Sequence, residues 1–181
     1  MMTRVLALFG LLFLTACTDA TQDLSAPPEP LGDFQLGFVG VAANGARGLL
    51  ATETISEETW VAEVEAAVEA RFNRFEGARY YNLGIKVAEY SVPPPIIPGK
   101  SALALLVTVW DDSAGTKLNE EVEPIAVIRV FESRLAATTE ERVTALAEIA
   151  AKQIEDWLRE QMVEQGWFMT PAEETPVPTD G

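Results

Sequence analysis

The apolar residues of this chain change their spacing in a fixed order, and that order restricts the fold more than any other feature. A first apolar run is followed by a stretch with the period of an α-helix, then by three runs of period two, and then by a second helical stretch. The order strand, helix, strand, strand, strand, helix predicts an α/β protein. We expect a two-layer sandwich in which both helices cover one face of a mixed sheet of about four strands.

The predicted strands differ in the burial that we expect for each. The first carries no charge and is predicted to be a central strand covered on both sides, with Phe34 and Phe38 on the same face. The second alternates strictly and is predicted to bury one face, which leaves Tyr90 on the other. The third is apolar on both faces. The four strands are predicted at residues 34–42, 79–90, 102–110 and 123–132.

A capping residue marks the start of the first helix. Ser56, followed by two glutamates, predicts an N-terminus for a helix over residues 57–75. An apolar stripe with the helical period is expected to face the sheet, while Arg71 and the other charged residues lie elsewhere on the cylinder. The stripe consists of Trp60, Val61, Val64, Val68, Phe72 and Phe75.

The second helix has signals at both ends. Thr138 and Glu141 have the spacing of a capping box, which predicts a helix that starts at residue 139. One apolar stripe then continues to residue 165, and Gly166 is predicted to end the helix. One face of this long helix is expected to lie on the sheet.

The composition excludes several classes of function. The chain of 181 residues has no histidine and one cysteine, so it offers no imidazole or thiolate metal site, no Ser-His or Cys-His pair and no disulfide. The formal net charge is -15 and no basic stripe is visible, which makes nucleic acid a poor partner. We therefore expect a protein that is not an enzyme and that holds no cofactor or metal.

The single cysteine follows an apolar leader. The uncharged run at residues 5–14 is shorter than the roughly 20 residues of a membrane-spanning helix, so residues 1–16 are predicted to be a cleaved signal peptide. Leu14-Thr15-Ala16-Cys17 resembles the lipobox of bacterial lipoproteins. The resemblance implies diacylglycerol on the Cys17 sulfur, cleavage before Cys17 and a fatty acid such as palmitate on the new amino terminus. The alternative is an ordinary secretory signal with an incidental thiol.

The resemblance also has consequences for location. Thr18, rather than aspartate, follows the cysteine, which is similar to lipoprotein cargo sent to the outer membrane. This implies attachment to the periplasmic leaflet of that membrane through the lipid on Cys17. Because one acyl chain binds a membrane only marginally, several chains on Cys17 would be needed to hold the protein there.

The rest of the chain divides by composition. Residues 17–33 are rich in alanine, threonine, serine and proline, and are predicted to be a flexible linker behind the lipid. Fully extended at about 3.3–3.6 Å per residue, this linker would reach at most ~55 Å. Residues 34–170 are predicted to form a single α/β domain, and residues 171–181 a disordered, acidic, proline-rich tail.

A group of acids near one end of the predicted hairpin is a candidate site. Clustered carboxylates could bind Ca²⁺ or Mg²⁺, or could supply the acid/base pair of an enzyme that hydrolyses cell-wall glycan. The spacing of a calcium loop is absent and nothing selects one pair of acids, so a solvated acidic turn is the favoured interpretation. The group consists of Asp111, Asp112, Glu120, Glu121 and Glu123.

Two apolar segments outside the predicted strands are candidates for partner contact. Pro94, Ile96 and Ile97 belong to a proline-rich stretch that cannot pair as a strand, and an extended apolar backbone of this kind suits docking. The alternative is a connector folded against the end of the sheet. Trp167 and Phe168 follow the second helix, and they either fold back onto the core or form a contact patch.

The predicted architecture behind a lipobox looks like the small α/β domains of many outer-membrane lipoproteins. Our leading hypothesis is a non-catalytic, lipid-anchored periplasmic module that binds or assembles with another protein of the cell envelope. The alternative is an auxiliary lipoprotein of a lipid or small-molecule transport system, which would hold an apolar ligand between the helices and the sheet. A cell-wall glycan hydrolase is a further alternative.

Overall fold

The computed structural model describes residues 20–49, 51–94, 100–129 and 137–169, and these form one sheet with two helices. A short 3₁₀ turn at Gln22–Ser25 precedes the first strand. The order of elements is the predicted one, with two strands of two residues added. The elements are β1 (Phe34–Ala42), β2 (Arg47–Gly48), α1 (Glu57–Phe72), β3 (Arg79–Ser91), β4 (Ser101–Asp111), β5 (Thr116–Lys117), β6 (Glu123–Arg129) and α2 (Thr139–Gln165).

The sheet is open and mixed, as predicted. Its main order is β1, β3, β4, β6, in which β1 runs parallel to β3 and the other pairs are antiparallel. The short β2 lies beside the end of β3, and the short β5 lies beside the end of β4. Both helices pack on the same face, since α1 contacts β1 and α2 contacts β4 and β6. The α/β two-layer class is therefore confirmed.

The helices start where their capping residues predict. The Ser56 side chain accepts a hydrogen bond from the backbone N–H of Thr59. Thr138 and Glu141 form the predicted capping box, and Gly166 adopts a left-handed conformation with φ of 70°. The bounds of α2 agree with the prediction, whereas α1 ends at Phe72, earlier than predicted.

The prediction that β1 is a central strand is wrong. Among the described residues β1 pairs along its length with β3 alone, apart from an isolated bridge between Gln35 and Glu76, so it lies at the edge of the sheet. A bulge between Leu36 and Val39 then changes the face of the residues that follow. Val39 is buried, and Phe38 is 67% exposed instead of sharing the buried face of Phe34.

A second bulge changes the end of β3. Tyr81 to Val87 alternate as predicted, with every second side chain buried against the helices. A shift in register between Val87 and Glu89 turns Tyr90 to the same face, where it is buried and its ring lies 5.2 Å from that of Trp60. The prediction that Tyr90 faces away from the core is therefore wrong.

No helix within the described ranges is both long enough and apolar enough to cross a bilayer. The leader, including Cys17, and the tail from residue 170 onward lie outside the residues that the structure describes. The same holds for residues 95–99 and 130–136.

Candidate functional site

The face of the sheet that carries no helix is the first candidate surface, and we call it the open face. In β4, Leu105, Val107 and Val109 point into the core, so Leu106 and Thr108, which alternate with them, point the other way. Small residues of the neighbouring strands lie beside them and leave a shallow depression of 370 Å³. The open face comprises Gly40, Ala42, Gly84, Lys86, Leu106, Thr108, Trp110, Lys117 and Val122.

Strand register explains why this depression forms. Gly40 pairs with Gly84, which pairs with Thr108, so the first row across three strands contains no bulky apolar side chain. In the next row Ala42 pairs with Lys86, which pairs with Leu106. Two glycines and an alanine in adjacent strands lower the surface at this point.

The open face is more apolar than the solvated face of a typical antiparallel sheet, which alternates polar residues outward. Trp110 is 39% exposed and Val122 is 48% exposed. Outside the depression, Ile128 of β6 and Phe38 of β1 are exposed by about two thirds of their surface. Contiguous exposed apolar surface on a soluble domain marks an interaction site or an aggregation hazard.

The depression carries charges of one sign, although Glu89, which pairs with Ala104, and Asp112, which accepts a hydrogen bond from Asn82, lie beside it. Among the described residues that line the depression, the ionisable side chains are Lys86 and Lys117, and the Lys117 ammonium lies 5.4 Å from the centre of the Trp110 ring. None of the described residues that line the depression is acidic, although the chain has 28 acidic residues against 13 basic ones. The depression is therefore apolar with two lysines at its margin, on a strongly acidic protein.

The second candidate is a cluster of charges beneath the amino-terminal segment, and we call it the latch. At its centre Arg71 has a side chain only 1% exposed and bonds two carboxylates, at 2.9 Å to Asp23 and 2.7 Å to Glu155. It also donates to the backbone carbonyl of Ala20. The latch comprises Asp23, Arg71, Arg74, Glu155 and Arg159.

The latch holds the carboxylates in their charged form. Hydrogen bonds from Arg71 lower the pKa of Asp23 from its ordinary value of 3.8. Burial opposes ionisation of Glu155, but hydrogen bonds from Arg71 and Arg159 outweigh it and hold the pKa of Glu155 below its ordinary value. Burial alone would lower the pKa of the Arg71 guanidinium, and the bonds to Asp23 and Glu155 raise it instead.

The latch corrects the predicted linker. Residues 20–33 do not extend away from the domain but lie against its helices, because arginines bind their backbone at several points. Arg74 donates to the carbonyls of Asp23 at 2.9 Å and Ala26 at 3.2 Å. Arg159 donates to the carbonyl of Glu29 at 2.9 Å. Beyond these points Leu31 is 1% exposed and belongs to the core.

The predicted contact segment at the proline-rich stretch is described in part. Val92 is fully buried, and the carbonyl of Pro93 accepts a hydrogen bond of 2.6 Å from the buried Arg142. Pro94, which follows, is half-buried. The start of the segment is thus folded against the domain, as the connector interpretation expects, while Ile96 and Ile97 lie outside the described residues.

The residues after α2 fold back onto the core. Phe168 is 3% exposed, and its ring lies 5.1 Å from Phe34 and 4.7 Å from Tyr81. Trp167 is half-buried, and its ring meets Trp157 edge to face at 5.6 Å. In this conformation Phe168 offers no surface to a partner.

The predicted acidic group does not converge on one point. Asp111 is buried and binds Arg79 at 2.5 Å, and Asp112 accepts a hydrogen bond from Asn82 at 2.9 Å. Within the described parts of the chain no three acidic residues come together in a way that could hold a metal ion.

The layer between the helices and the sheet is filled with side chains. Large apolar residues of both helices and of the two central strands form one buried cluster there. An apolar ligand in this layer, as the transport hypothesis requires, would have to displace them. The cluster includes Trp60, Val64, Val68, Leu83, Leu103, Leu105, Leu146 and Ile154, each at most 1% exposed.

Comparison with known proteins identifies no family. No family model matches the chain, and no curated protein matches it in sequence. Similar solved structures include a protein from Xanthomonas campestris of the family model DUF330, with 16% identity and a TM-score of 0.48 over 77% of this chain and 93% of that one. A minor lipoprotein from Acinetobacter baumannii has 15% identity and a TM-score of 0.32 over 73% of this chain and 94% of that one.

A further similar structure is the PelC dodecamer from Paraburkholderia phytofirmans, with 15% identity and a TM-score of 0.39 over 70% of this chain and 92% of that one. Resemblance at this level transfers no site and no role. The function is therefore argued from the residues of this chain.

Proposed function

We propose that this protein is a non-catalytic lipoprotein of the bacterial envelope, anchored through Cys17 to the periplasmic leaflet of the outer membrane. In this proposal the folded domain binds another envelope protein through the open face. The observation that carries the binding role is an apolar depression in an exposed sheet face, with two lysines and no acidic residue among the described residues of its lining, on a chain whose net charge is -15. The lipobox-like sequence that ends at Cys17 supports the anchor.

The chemistry of the open face restricts the partner. An apolar centre around Leu106 and Trp110 suits an apolar contact, and Lys86 and Lys117 suit carboxylates at its edge. A second copy of this chain, facing this surface with its own, would bring like charges together. We therefore expect a different protein, with an apolar patch bordered by aspartate or glutamate.

The anchor is tested by growth with a fatty acid that carries a chemical reporter. The wild-type protein is expected to incorporate the label, and the Cys17→Ala variant is expected to incorporate none. Thr15→Ala, which keeps a small residue before the cysteine, is the matched control and should be labelled like wild type. An unlabelled wild-type protein would overturn the anchor.

The docking surface is tested by introducing a charge on the open face. Complexes extracted in mild detergent are compared for wild type, Leu106→Asp and Lys86→Glu, with Lys152→Glu on the exposed side of α2 as the control. Both open-face variants are expected to lose the partner that wild type and the control retain, while their circular dichroism spectra show that they remain folded. Retention of the same partner by Leu106→Asp would refute the proposed surface.

A further inference from the structure

We infer that the latch makes residues 20–33 a part of the folded domain, so that the end of the domain built around Arg71 and Glu155 rests on the lipid headgroups. This inference depends on the proposed lipid at Cys17. It concerns a different property of the protein, namely which surface of the domain faces the membrane and how far from it the domain can move.

Residues 20–33 are held against the domain from the first of them. Ala20, the first described residue, is 8% exposed, and its carbonyl accepts a hydrogen bond from Arg71. Asp23 binds the same guanidinium at 2.9 and 3.1 Å. Because Arg71 is almost fully buried and has Glu155 as its other partner, removal of the segment would leave a buried cation with one carboxylate in place of two.

The second step is the length of chain that remains. Three peptide units join Cys17 to Ala20, and at about 3.3–3.6 Å per residue they span at most ~11 Å. The linker predicted from composition would have reached roughly five times as far. The headgroup region on each side of a bilayer is about 5–8 Å thick, so Ala20 cannot lie far above it when acyl chains on Cys17 are inserted.

The third step is the charge at this point. The five ionised side chains of the latch carry three positive charges, on Arg71, Arg74 and Arg159, and two negative charges, on Asp23 and Glu155. The latch therefore does not add to the acidic surplus that repels the rest of the chain from anionic lipids.

The consequence is a defined orientation. The latch is built on α1 and α2, which cover one face of the sheet, whereas the open face lies on the other side. The proposed orientation directs the amino-terminal end of α2 away from the membrane, and Glu140 precedes Glu155 by about four helical turns, or roughly 22 Å along the helix. The anchor therefore holds the domain close to the bilayer without covering the open face.

The orientation is tested by depth measurements on the lipidated protein in nanodiscs of phosphatidylethanolamine and phosphatidylglycerol at 3:1. A dye is placed on an introduced cysteine, Ser25→Cys beside the latch or Glu140→Cys at the start of α2; both positions are exposed. The lipidated Cys17 sulfur does not react with the dye. Quenching by a spin label on lipid headgroups is expected to be several-fold stronger for the dye at position 25.

The role of the latch is tested by adding Asp23→Asn, which removes the charge that binds Arg71 without emptying the core. The difference between the two dyes is then expected to shrink, while Lys152→Ala, on the exposed side of α2, leaves it unchanged. Equal quenching at the two positions in wild type, or a difference that Asp23→Asn does not alter, would overturn the inference. The intact mass of the same preparation reports the lipid separately, so an unlipidated product refutes the proposed function and the inference together.

Discussion

The latch places Arg71 and Glu155 inside the domain, whereas the open face leaves Leu106 and Trp110 on its surface. Each region departs from the usual distribution of polar and apolar residues, and in opposite directions. A buried ion pair is costly to desolvate, and an exposed apolar face risks aggregation, so neither is a general means of stabilising a small domain. The latch holds a segment of the chain itself, whereas we propose that the open face binds another protein.

Loss of a latch carboxylate is the largest effect that this comparison predicts. Glu155→Ala is expected to lower the free energy of unfolding by about 3–5 kcal/mol, because it deprives buried Arg71 and the nearby Arg159 of their shared partner. Asp156 follows Glu155 on α2 and binds the exposed Lys152. Asp156→Ala should therefore lower the free energy of unfolding by less than about 1 kcal/mol. Denaturant titration of both variants measures the difference, and similar losses would contradict a structural role for the latch.

Leu105 and Leu106 of β4 face opposite sides of the sheet, so the cost of substituting each one compares the two faces. Leu105→Ala is expected to cost about 2–5 kcal/mol, because Leu105 is 1% exposed and its removal leaves a cavity in the core. Leu106→Ala on the open face leaves no enclosed cavity, so its cost should be below about 1 kcal/mol. Unfolding curves that show equal losses would mean that the open face is covered within the monomer.

The pH dependence of the free energy of unfolding tests how much the carboxylates of the latch contribute to stability. The pKa values of Asp23 and Glu155 are lower in the folded state than their ordinary values of 3.8 and 4.5. Their contribution to the free energy of unfolding is therefore fully present above those ordinary values, and it is lost as the pH falls through the lowered values. Wild type should therefore lose more stability on acidification than Asp23→Asn does. Unfolding free energies measured at neutral pH and below about pH 4 test this, and parallel profiles would contradict it.

The smallest expected effect concerns charge at the margin of the open face. Lys117→Gln removes the ammonium that lies over Trp110, and because this group is exposed the free energy of unfolding should fall by about 0.5 kcal/mol, the lower end for an exposed cation–π contact. Association with an acidic partner should become slower and less sensitive to salt. Binding kinetics at two ionic strengths measure the change, and an unaltered salt dependence would argue against a role for Lys117.

Local signals in the sequence were sufficient for the helices and for the fold class. Thr138, Glu141 and Gly166 determine the ends of α2 through hydrogen bonds that depend on a few neighbouring residues, and the bounds of this helix agree with the prediction. A β-bulge has no comparable local signal in this sequence. The extra residue in β1 exposes Phe38 and the shift in β3 buries Tyr90, and both depend on pairing with another strand.

The two candidate surfaces were missed for different reasons. Arg71 lies three residues after Val68 and seven after Val64, so the helical period itself places it on the buried stripe, and its charge alone led to the opposite prediction. For the open face the signal was present in β4, which is apolar on both faces. Such a pattern is typical of a strand that is covered on both sides, and only the positions of the helices show that one side of β4 is uncovered.

The central claim is that the open face, and not the helical face, meets the partner. To test this claim directly, a photo-crosslinking amino acid is introduced in living cells at one of two positions. Position 108 lies on the open face, and position 152 lies on the exposed side of α2. The account predicts one discrete crosslinked protein from position 108, lost when Leu106→Asp is added, and none from position 152. Crosslinks to the same protein from both positions, or from position 152 alone, would contradict it.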